Sequence, residues 1–237
     1  MKVVKKISGY LKMETKKVEL PNYGILDVTL DKKHLDHLHH LVEKYEPDNA
    51  KQQWMLIDDD NRFQKEVLNI IVNDYIKEFG YPEKLKSTHI HDLTFQKFWA
   101  NYTGVGEYQA LHNHDAIWSF VIWLKIPSVA EVEQKVMNTM HPEAGDFILT
   151  YTDIVGRMRK VNWKLEKQYN EGHMLVFPSD LYHAVYPHFL TDEKRLSVSG
   201  DILLNSMALK GINNQGMLLG PCNSQEFLKK GSGKAHI

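Results

Sequence analysis

The feature of this sequence that most constrains its fold is a change of residue pattern near position 87. After that point the chain contains short runs rich in β-branched and aromatic residues, separated by turn-forming residues. Such runs are typical of strands. Two segments with helical spacing precede them, so the order indicates an α+β protein whose β part is a sandwich or barrel. The runs span residues 93–101, 117–126, 147–151, 174–177 and 196–204.

The N-terminal part combines one strand with two amphipathic helices. Residues 25–30 alternate apolar and polar side chains, which predicts a strand. Asp31 is a favourable N-cap for a first helix, in which leucines recur at helical spacing. A second helix with the same spacing begins near Phe63 and ends before Gly80.

The length and composition indicate one folding unit. The chain has 237 residues, of which 43% are hydrophobic, so we expect a single domain over residues 1–237. A helical part covers residues 1–86, and the β core covers residues 87–205. The polar segment 128–169 looks like an insertion or lid rather than core. Residues 206–237 form a tail rich in Gly, Asn and Lys.

The composition also excludes several classes of protein. Lys and Arg total 29 against 30 Asp and Glu, which disfavours non-specific nucleic-acid binding and leaves open only a local basic groove. Cys222 is the single cysteine, so an intrachain disulfide and a Cys-rich zinc site are excluded. The apolar runs are shorter than the about 20 residues of a membrane span, and the N-terminus lacks the apolar stretch of a secretory signal. We expect a soluble cytoplasmic protein without a membrane partner.

Histidine is the unusual component, with 13 residues. Two segments have the pattern His-x-His-Asp, beginning at His89 and at His112. Residues two apart on a strand point the same way, so either pair can share one metal ion, and the alternative is a pair of surface histidines at a strand end. The second pair is favoured because it follows a turn-rich segment and precedes an apolar strand. Four other histidines are predicted to lie on the solvated face of the first helix: His34, His37, His39 and His40.

A third ligand and an anion-binding residue are predicted further along the chain. His183 begins a strand, after an apolar strand and a proline-containing turn. Arg195 and Ser197 share one face of a later strand. A guanidinium in an apolar strand needs a partner anion, and its planar fork suits a carboxylate. The alternative is a surface salt bridge with Asp192 or Glu193.

Three segments in order resemble one protein superfamily. Residues 98–114 contain a tyrosine, a glycine turn, an aromatic residue and His-x-His; residues 172–183 contain the distal histidine; residues 195–197 contain Arg-x-Ser. The pattern resembles the 2-oxoglutarate- and Fe(II)-dependent oxygenases, in particular the prolyl-hydroxylase-like branch and the oxygenase-like proteins of T4-like cyanophages. The resemblance covers about residues 95–203. A phage-encoded protein of this kind would act in the host cell cytoplasm.

The resemblance implies a double-stranded β-helix (jelly-roll) core with N-terminal supporting helices. It also implies Fe(II), 2-oxoglutarate as cosubstrate and O2. Transferred residue by residue, it makes His112 and His183 iron ligands, and it assigns the distal carboxylate of 2-oxoglutarate to Arg195 and Ser197. Tyr102 would donate a hydrogen bond to 2-oxoglutarate.

The sequence departs from the prolyl-hydroxylase pattern at His114, where that pattern has an aspartate. Either the metal takes three histidines, or Asp115 provides the carboxylate. Strand alternation favours His114, because Asp115 would point to the opposite side. A β-bulge would reverse that choice. Three neutral ligands would leave the metal site one charge more positive than the usual set.

The implied activity is that of an oxygenase, most directly a hydroxylase, which couples decarboxylation of 2-oxoglutarate to succinate with oxidation of a substrate. A protein side chain such as a prolyl residue and a small molecule both fit as substrate. One alternative is a cupin-like metal-binding protein or isomerase, and another is a non-catalytic binding module on the same fold. Arg195 discriminates between them, because only the oxygenase requires it. The segment 128–169, with Tyr151, Trp163 and Tyr169, is either a substrate cover or a solvated basic loop.

Overall fold

The computed structural model describes residues 3–5, 14–16, 23–48, 52–80, 93–127, 129–137 and 142–204. Its strands are β1 (Val3–Lys5), β2 (Glu14–Lys16), β3 (Leu26–Thr29), β4 (Gln53–Met55), β5 (Leu93–Thr103), β6 (Gln109–His112), β7 (Trp118–Lys125), β8 (Phe147–Thr152), β9 (Met158–Trp163), β10 (His173–Pro178), β11 (Tyr182–Val185) and β12 (Arg195–Leu204). Its helices are α1 (Lys32–Tyr45), α2 (Asn69–Phe79), α3 (Ala130–Met137) and α4 (Lys167–Asn170), and a π-helical turn, Gln64–Leu68, leads into α2.

Local sequence signals set the ends of the two longer helices. The Asp31 carboxylate accepts a hydrogen bond from the backbone N–H of His34 at 2.9 Å, which caps the start of α1. Gly80 ends α2 in the left-handed conformation, with a φ of 65° that a residue with a side chain rarely adopts. The buried side chains of both helices join one apolar cluster with the residues of the larger sheet.

Two antiparallel sheets form the β part. The larger has six strands in the order β3-β10-β7-β12-β5-β4, and the smaller has four in the order β6-β11-β8-β9. Strands from the first 86 residues therefore occupy both edges of the larger sheet. The two-stranded pair β1-β2 is separate from these sheets in the described part of the chain.

The larger sheet is covered on both faces, because successive strand residues point in opposite directions. On β7, Ile122 packs in the cluster that contains the helices, whereas Trp123 packs in a second cluster with residues of the smaller sheet. The Phe147 ring on β8 and the Phe177 ring on β10 have centroids 6.0 Å apart across this inner layer. Two facing antiparallel sheets with helices on the outside are consistent with a jelly-roll core.

The structure differs from the expectation that residues 128–169 lie outside the core. β8 lies between β11 and β9 in the smaller sheet, and Phe147, Ile148 and Leu149 are each only 2% exposed. The segment was classed as an insertion because polar sequence surrounds a short apolar run. Strand pairing on both sides of β8 buries that run.

Several sequence predictions fall outside the described residues. These are the histidine pair His89/His91, the cysteine Cys222 and the tail 206–237. The division of residues 1–237 into a single domain with these parts stays a prediction. Among the described helices, none combines the length and apolar character that crossing a membrane requires.

Candidate metal centre

Three histidines converge between the two sheets. His112 ends β6, His114 follows two residues later, and His183 lies on β11 directly opposite His112 in the strand register. The centroids of their rings are 4.3 Å (His112–His183), 5.0 Å (His114–His183) and 5.1 Å (His112–His114) apart. One nitrogen from each ring lies within 4.8 Å of the other two, which is a spacing that a single metal ion can bridge.

Hydrogen bonds from the protein determine which nitrogen of each ring is available. Nδ1 of His112 donates to the Ala110 carbonyl oxygen at 2.6 Å, and Nδ1 of His183 donates to the Leu181 carbonyl oxygen at 3.0 Å. Because a carbonyl oxygen can only accept, Nδ1 carries the proton in both rings. Their Nε2 atoms keep a free lone pair, which is the form of imidazole that binds a metal.

His114 is oriented by a carboxylate instead of a carbonyl. Its Nδ1 lies 2.6 Å from Oδ1 of Asp201, and its backbone N–H donates to the Ser179 carbonyl oxygen at 3.0 Å. Asp201 is 2% exposed. In all three rings Nδ1 is held by the protein, as is usual for histidines that bind a metal, which leaves Nε2 as the available nitrogen. The donor set fits a divalent transition metal.

Burial keeps His183 in its neutral form. Desolvation is the largest influence and lowers the pKa of His183 to about 4, and the neighbouring His112 and His114 rings lower it further. The hydrogen bond to Leu181 acts in the opposite direction. A neutral imidazole at physiological pH can bind a metal without first losing a proton.

Asp115 lies outside this group of ligands. Its side chain is exposed, and the metal-binding group in this part of the chain comprises His112, His114 and His183. Strand alternation was the basis for preferring His114, and His114 is the residue that the structure brings to the other two. Asp201, which was not identified from the sequence, is the carboxylate that contacts the group.

Arg195 lines the same pocket as the three histidines. It is 2% exposed, and its guanidinium donates to the carbonyl oxygens of Gly145 at 3.3 Å and Tyr186 at 3.5 Å. Its Nε has no hydrogen-bond partner among the described residues. Burial lowers the pKa of Arg195 to about 10, so the side chain stays charged at neutral pH.

No carboxylate in the part of the chain that the structure describes forms an ion pair with the Arg195 guanidinium. The predicted alternative, a surface salt bridge with Asp192 or Glu193, is not formed, because Arg195 is buried. Glu193 instead pairs with Lys125 at 2.7 Å. Two buried carboxylates, Glu133 and Asp146, attract the guanidinium from a distance. Glu133 accepts backbone N–H groups, and Asp146 accepts side-chain amides.

Ser197 lines the pocket as expected, whereas Tyr102 does not. In the register of β5 with β12, Tyr102 pairs with Leu196, and Thr103 pairs with Arg195. Tyr102 therefore points to the outer face, where its hydroxyl donates to Glu46 at 3.4 Å. Besides His112, the polar residues of β5 and β6 that line the pocket are Thr103 and Gln109.

The histidines of α1 lie apart from this centre. His39 and His40 are exposed, as predicted for a solvated helix face. The prediction is wrong for His34 and His37, whose side chains are only 15% and 11% exposed. His34 contacts Asp31 and Glu66, and Nε2 of His37 lies 2.9 Å from Oδ1 of Asp58. His37 belongs to a second small group with Asp58 and Asp60.

In the hairpin formed by β8 and β9, β9 is the exposed edge strand of the smaller sheet. The β9 side chains are exposed except for Trp163, which packs against the inner apolar cluster. Arg159 pairs with Asp153 at 2.8 Å, and Lys160 pairs with Glu143. Part of the predicted basic loop is thus a paired strand, and Tyr151 on β8 is 38% exposed.

A model of a known protein family matches the central part of the chain. Residues 97–201 match the family model described as "Putative 2OG-Fe(II) oxygenase", which is less than half of the 237 residues. The matched segment contains the three histidines, Arg195 and Ser197. The match supports the oxygenase superfamily that the sequence resembles, and the relation to cyanophage proteins is not confirmed. No curated protein matches the sequence.

Similar solved structures include an oxidoreductase of the 2OG-Fe(II) oxygenase family and two prolyl hydroxylases. A 2OG-Fe(II) oxygenase family oxidoreductase from Burkholderia pseudomallei has a TM-score of 0.47 and 13% identity, covering 76% of this chain and 84% of that one. A viral collagen prolyl hydroxylase from Paramecium Bursaria Chlorella virus-1 has a TM-score of 0.47 and 11% identity, and the match covers 76% of this chain and 95% of that one. A prolyl-4-hydroxylase from Pseudomonas putida has a TM-score of 0.47 and 15% identity, covering 77% and 94%.

Proposed function

We propose that this protein is an Fe(II)- and 2-oxoglutarate-dependent oxygenase that hydroxylates its substrate. One observation carries the proposal: a group of three metal-binding histidines shares a pocket with the buried Arg195, which has no carboxylate partner there. The two features together suit a ligand that chelates a metal at one end and carries a carboxylate at the other. The family match over residues 97–201 supports the same function.

His112, His114 and His183 would hold Fe(II) through their Nε2 atoms. When bound, Fe(II) supplies the oxidation chemistry, in which decarboxylation of 2-oxoglutarate to succinate accompanies O2-dependent oxidation of the substrate. The protein's own contribution is to keep the three rings oriented before any ligand arrives. The Nδ1 hydrogen bonds of all three rings perform that task.

Arg195 and Ser197 would bind the far carboxylate of 2-oxoglutarate. Both side chains line the pocket from β12, and the guanidinium makes only long hydrogen bonds to carbonyl oxygens. A charge-assisted contact in a partly dry pocket contributes about 2–3 kcal/mol. The ligand's carboxylate would also offset the cost of a buried, unpaired guanidinium.

Aromatic side chains would exclude water from the pocket. Trp99, Phe147 and Phe177 form part of its wall. The partly exposed β8–β9 hairpin would cover a substrate that approaches the metal. The substrate class that we propose is either a protein side chain, such as a prolyl residue, or a small molecule. We also propose a cytoplasmic location, which suits a chain with one cysteine.

A cupin-like metal-binding protein or isomerase is the second candidate. The observation that favours it is the ligand set of three neutral histidines, which lacks a carboxylate. Such a protein would bind a metal without 2-oxoglutarate. It would leave the burial of Arg195 in the same pocket without a function.

Turnover of 2-oxoglutarate tests the proposed function. Iron-loaded protein should convert 2-oxoglutarate to succinate in air, slowly alone and faster with the correct member of a pool of peptides and small molecules. His183→Ala should produce no succinate above the background of iron in buffer. Saturable Fe(II) binding without 2-oxoglutarate binding or succinate formation would favour the cupin-like alternative.

A further inference from the structure

The histidine centre contains a buried carboxylate to which neither the sequence pattern nor the family match assigns a role. Asp201 lies on β12, on the face that also carries Arg195 and Ser197. Its Oδ1 accepts from His114 Nδ1 at 2.6 Å and from the Ser119 hydroxyl at 2.8 Å. With 2% exposure it lacks contact with bulk water, so both hydrogen bonds form in a dry environment.

A network of two serines fixes the position of this carboxylate. The Ser119 hydroxyl donates its proton to Asp201, so the contact of 2.9 Å between Ser119 and Ser179 requires Ser179 to be the donor. The Ser179 carbonyl oxygen accepts the backbone N–H of His114. His114 is therefore held twice, through its ring by Asp201 and through its backbone by Ser179.

His114 needs this support more than the other two histidines. His112 and His183 lie on β6 and β11, where strand pairing fixes their backbones opposite each other. His114 lies beyond the end of β6, and its ring position depends on the side-chain contact. A ring on irregular backbone keeps one orientation only when another group holds it.

The charge of Asp201 also matters for a divalent cation. Within the described ranges of the chain, the side chains that contact Asp201 are those of His114 and Ser119, and the three ligand nitrogens bring no negative charge. Burying a carboxylate without a cation is costly. A divalent metal bound to His114 would place positive charge one imidazole ring away from Asp201, which offsets that cost.

We infer that Asp201 is a positioning residue for the metal, and that it supplies through His114 the negative charge that the three-histidine set lacks. This inference rests on the proposed function for the presence of a metal. Asp115, the neighbouring exposed carboxylate, has no part in the site.

Metal affinity in matched variants is the first test. Anaerobic calorimetric titration with Fe(II), and with Co(II) as a stable substitute, would compare wild type, Asp201→Asn, Asp201→Ala and the control Asp115→Asn. Asp201→Ala should weaken binding by roughly 10- to 100-fold. Asp201→Asn keeps an acceptor oxygen but loses the charge, so it should lose part of that affinity. Asp115→Asn should match wild type.

The tautomer of His114 in the metal-free protein is the second test, because a merely structural role would not change it. Nitrogen NMR of histidine-labelled protein in mildly alkaline buffer, where imidazoles are neutral, reports which ring nitrogen holds the proton. In wild type the proton of His114 should lie on Nδ1. In Asp201→Ala that preference should disappear, while His112 and His183 keep theirs.

The two tests separate this inference from the proposed function. Wild-type protein that binds no metal would refute the proposed function and the charge role, whereas the tautomer result would still decide whether Asp201 orients His114. Normal metal affinity in Asp201→Asn and Asp201→Ala would overturn the inference and leave the oxygenase proposal intact. If Asp201→Ala fails to fold, Asp201→Asn decides the metal test, and unchanged affinity there refutes the charge role.

Discussion

The pocket has a histidine side and an arginine side. They differ in how fully their polar atoms form hydrogen bonds with the protein. On the histidine side, formed by His112, His114 and His183, every Nδ1 has a protein partner within 3.0 Å. On the arginine side, formed by Arg195 and Ser197, the guanidinium has two long contacts to carbonyl oxygens and an unpartnered Nε among the residues described. The histidine side is preorganised, whereas the arginine side has hydrogen-bond donors that the proposed carboxylate ligand would satisfy.

This difference indicates that the two sides should respond differently to substitution. Changes on the histidine side should remove metal binding outright, because three ligands act on one ion. Changes on the arginine side should reduce the affinity for an anion and leave the metal in place. Substitutions in the apolar layer between the two sheets, which both sides share, should change the stability of the fold instead of ligand specificity.

The largest effect is expected from the histidine ligands. His112→Ala should abolish stoichiometric Fe(II) binding in anaerobic titration, because two remaining imidazoles cannot hold the ion in the same way. His114→Ala should do the same. His39→Ala, an exposed histidine on α1, is the matched control and should bind normally. Normal Fe(II) binding in both His112→Ala and His114→Ala would refute the proposed metal site.

The next effect concerns the apolar layer between the two sheets. Leu149→Ala on β8 should lower the free energy of unfolding by about 2–5 kcal/mol, because Leu149 is buried between the sheets. Its register partner on β9 is Val161, which is 37% exposed, so Val161→Ala should cost less than about 1 kcal/mol. Chemical denaturation of both variants measures the difference. Equal, small losses would mean that β8 belongs to a cover instead of the core.

A smaller effect is expected from Ser197 on the arginine side. Ser197→Ala should weaken 2-oxoglutarate binding roughly tenfold, the equivalent of one hydrogen bond of about 1.5 kcal/mol to a charged group. Fe(II) affinity should stay at the wild-type value in the same preparation. A loss of Fe(II) affinity in this variant would contradict the separation of the two sides.

The smallest effect is expected from Tyr102, which the family resemblance assigns to 2-oxoglutarate. Tyr102→Phe removes only a 3.4 Å hydrogen bond to Glu46 on the outer face. We expect 2-oxoglutarate affinity to change by less than about twofold. Titration of the iron-loaded variant measures this, and a large loss would show that Tyr102 reaches the pocket in the bound state.

The parts of the site that follow from strand alternation could be predicted from the sequence. His112 with His114, and Arg195 with Ser197, are pairs two residues apart, and a period of two places each pair on one face. Assigning Tyr102 to the pocket also requires knowing whether its side chain shares a face of the sheet with Arg195. That depends on the register between β5 and β12, in which Tyr102 lies opposite Leu196 instead.

Asp201 and β8 depend on long-range contacts that local sequence patterns do not reveal. Asp201 lies on the Arg195 face by simple alternation, yet its partner His114 is 87 residues away, and only the packing of the sheets brings them together. For β8, the short apolar run was identified as a strand, but its position between β11 and β9 depends on pairing with distant segments. Local patterns predicted these elements, and long-range pairing determined their roles.

The central claim is that one pocket binds a metal through three histidines and a carboxylate ligand through Arg195. Anaerobic titration of 2-oxoglutarate into Fe(II)-loaded wild type and Arg195→Met tests it most directly. We predict one saturable site in the wild type and affinity weakened roughly 30- to 150-fold in the variant, since about 2–3 kcal/mol is lost. Arg195→Lys should recover only part of that loss, because it keeps the charge without the planar fork. Equal affinities in wild type and Arg195→Met, or a wild type that binds Fe(II) but no 2-oxoglutarate, would contradict the account.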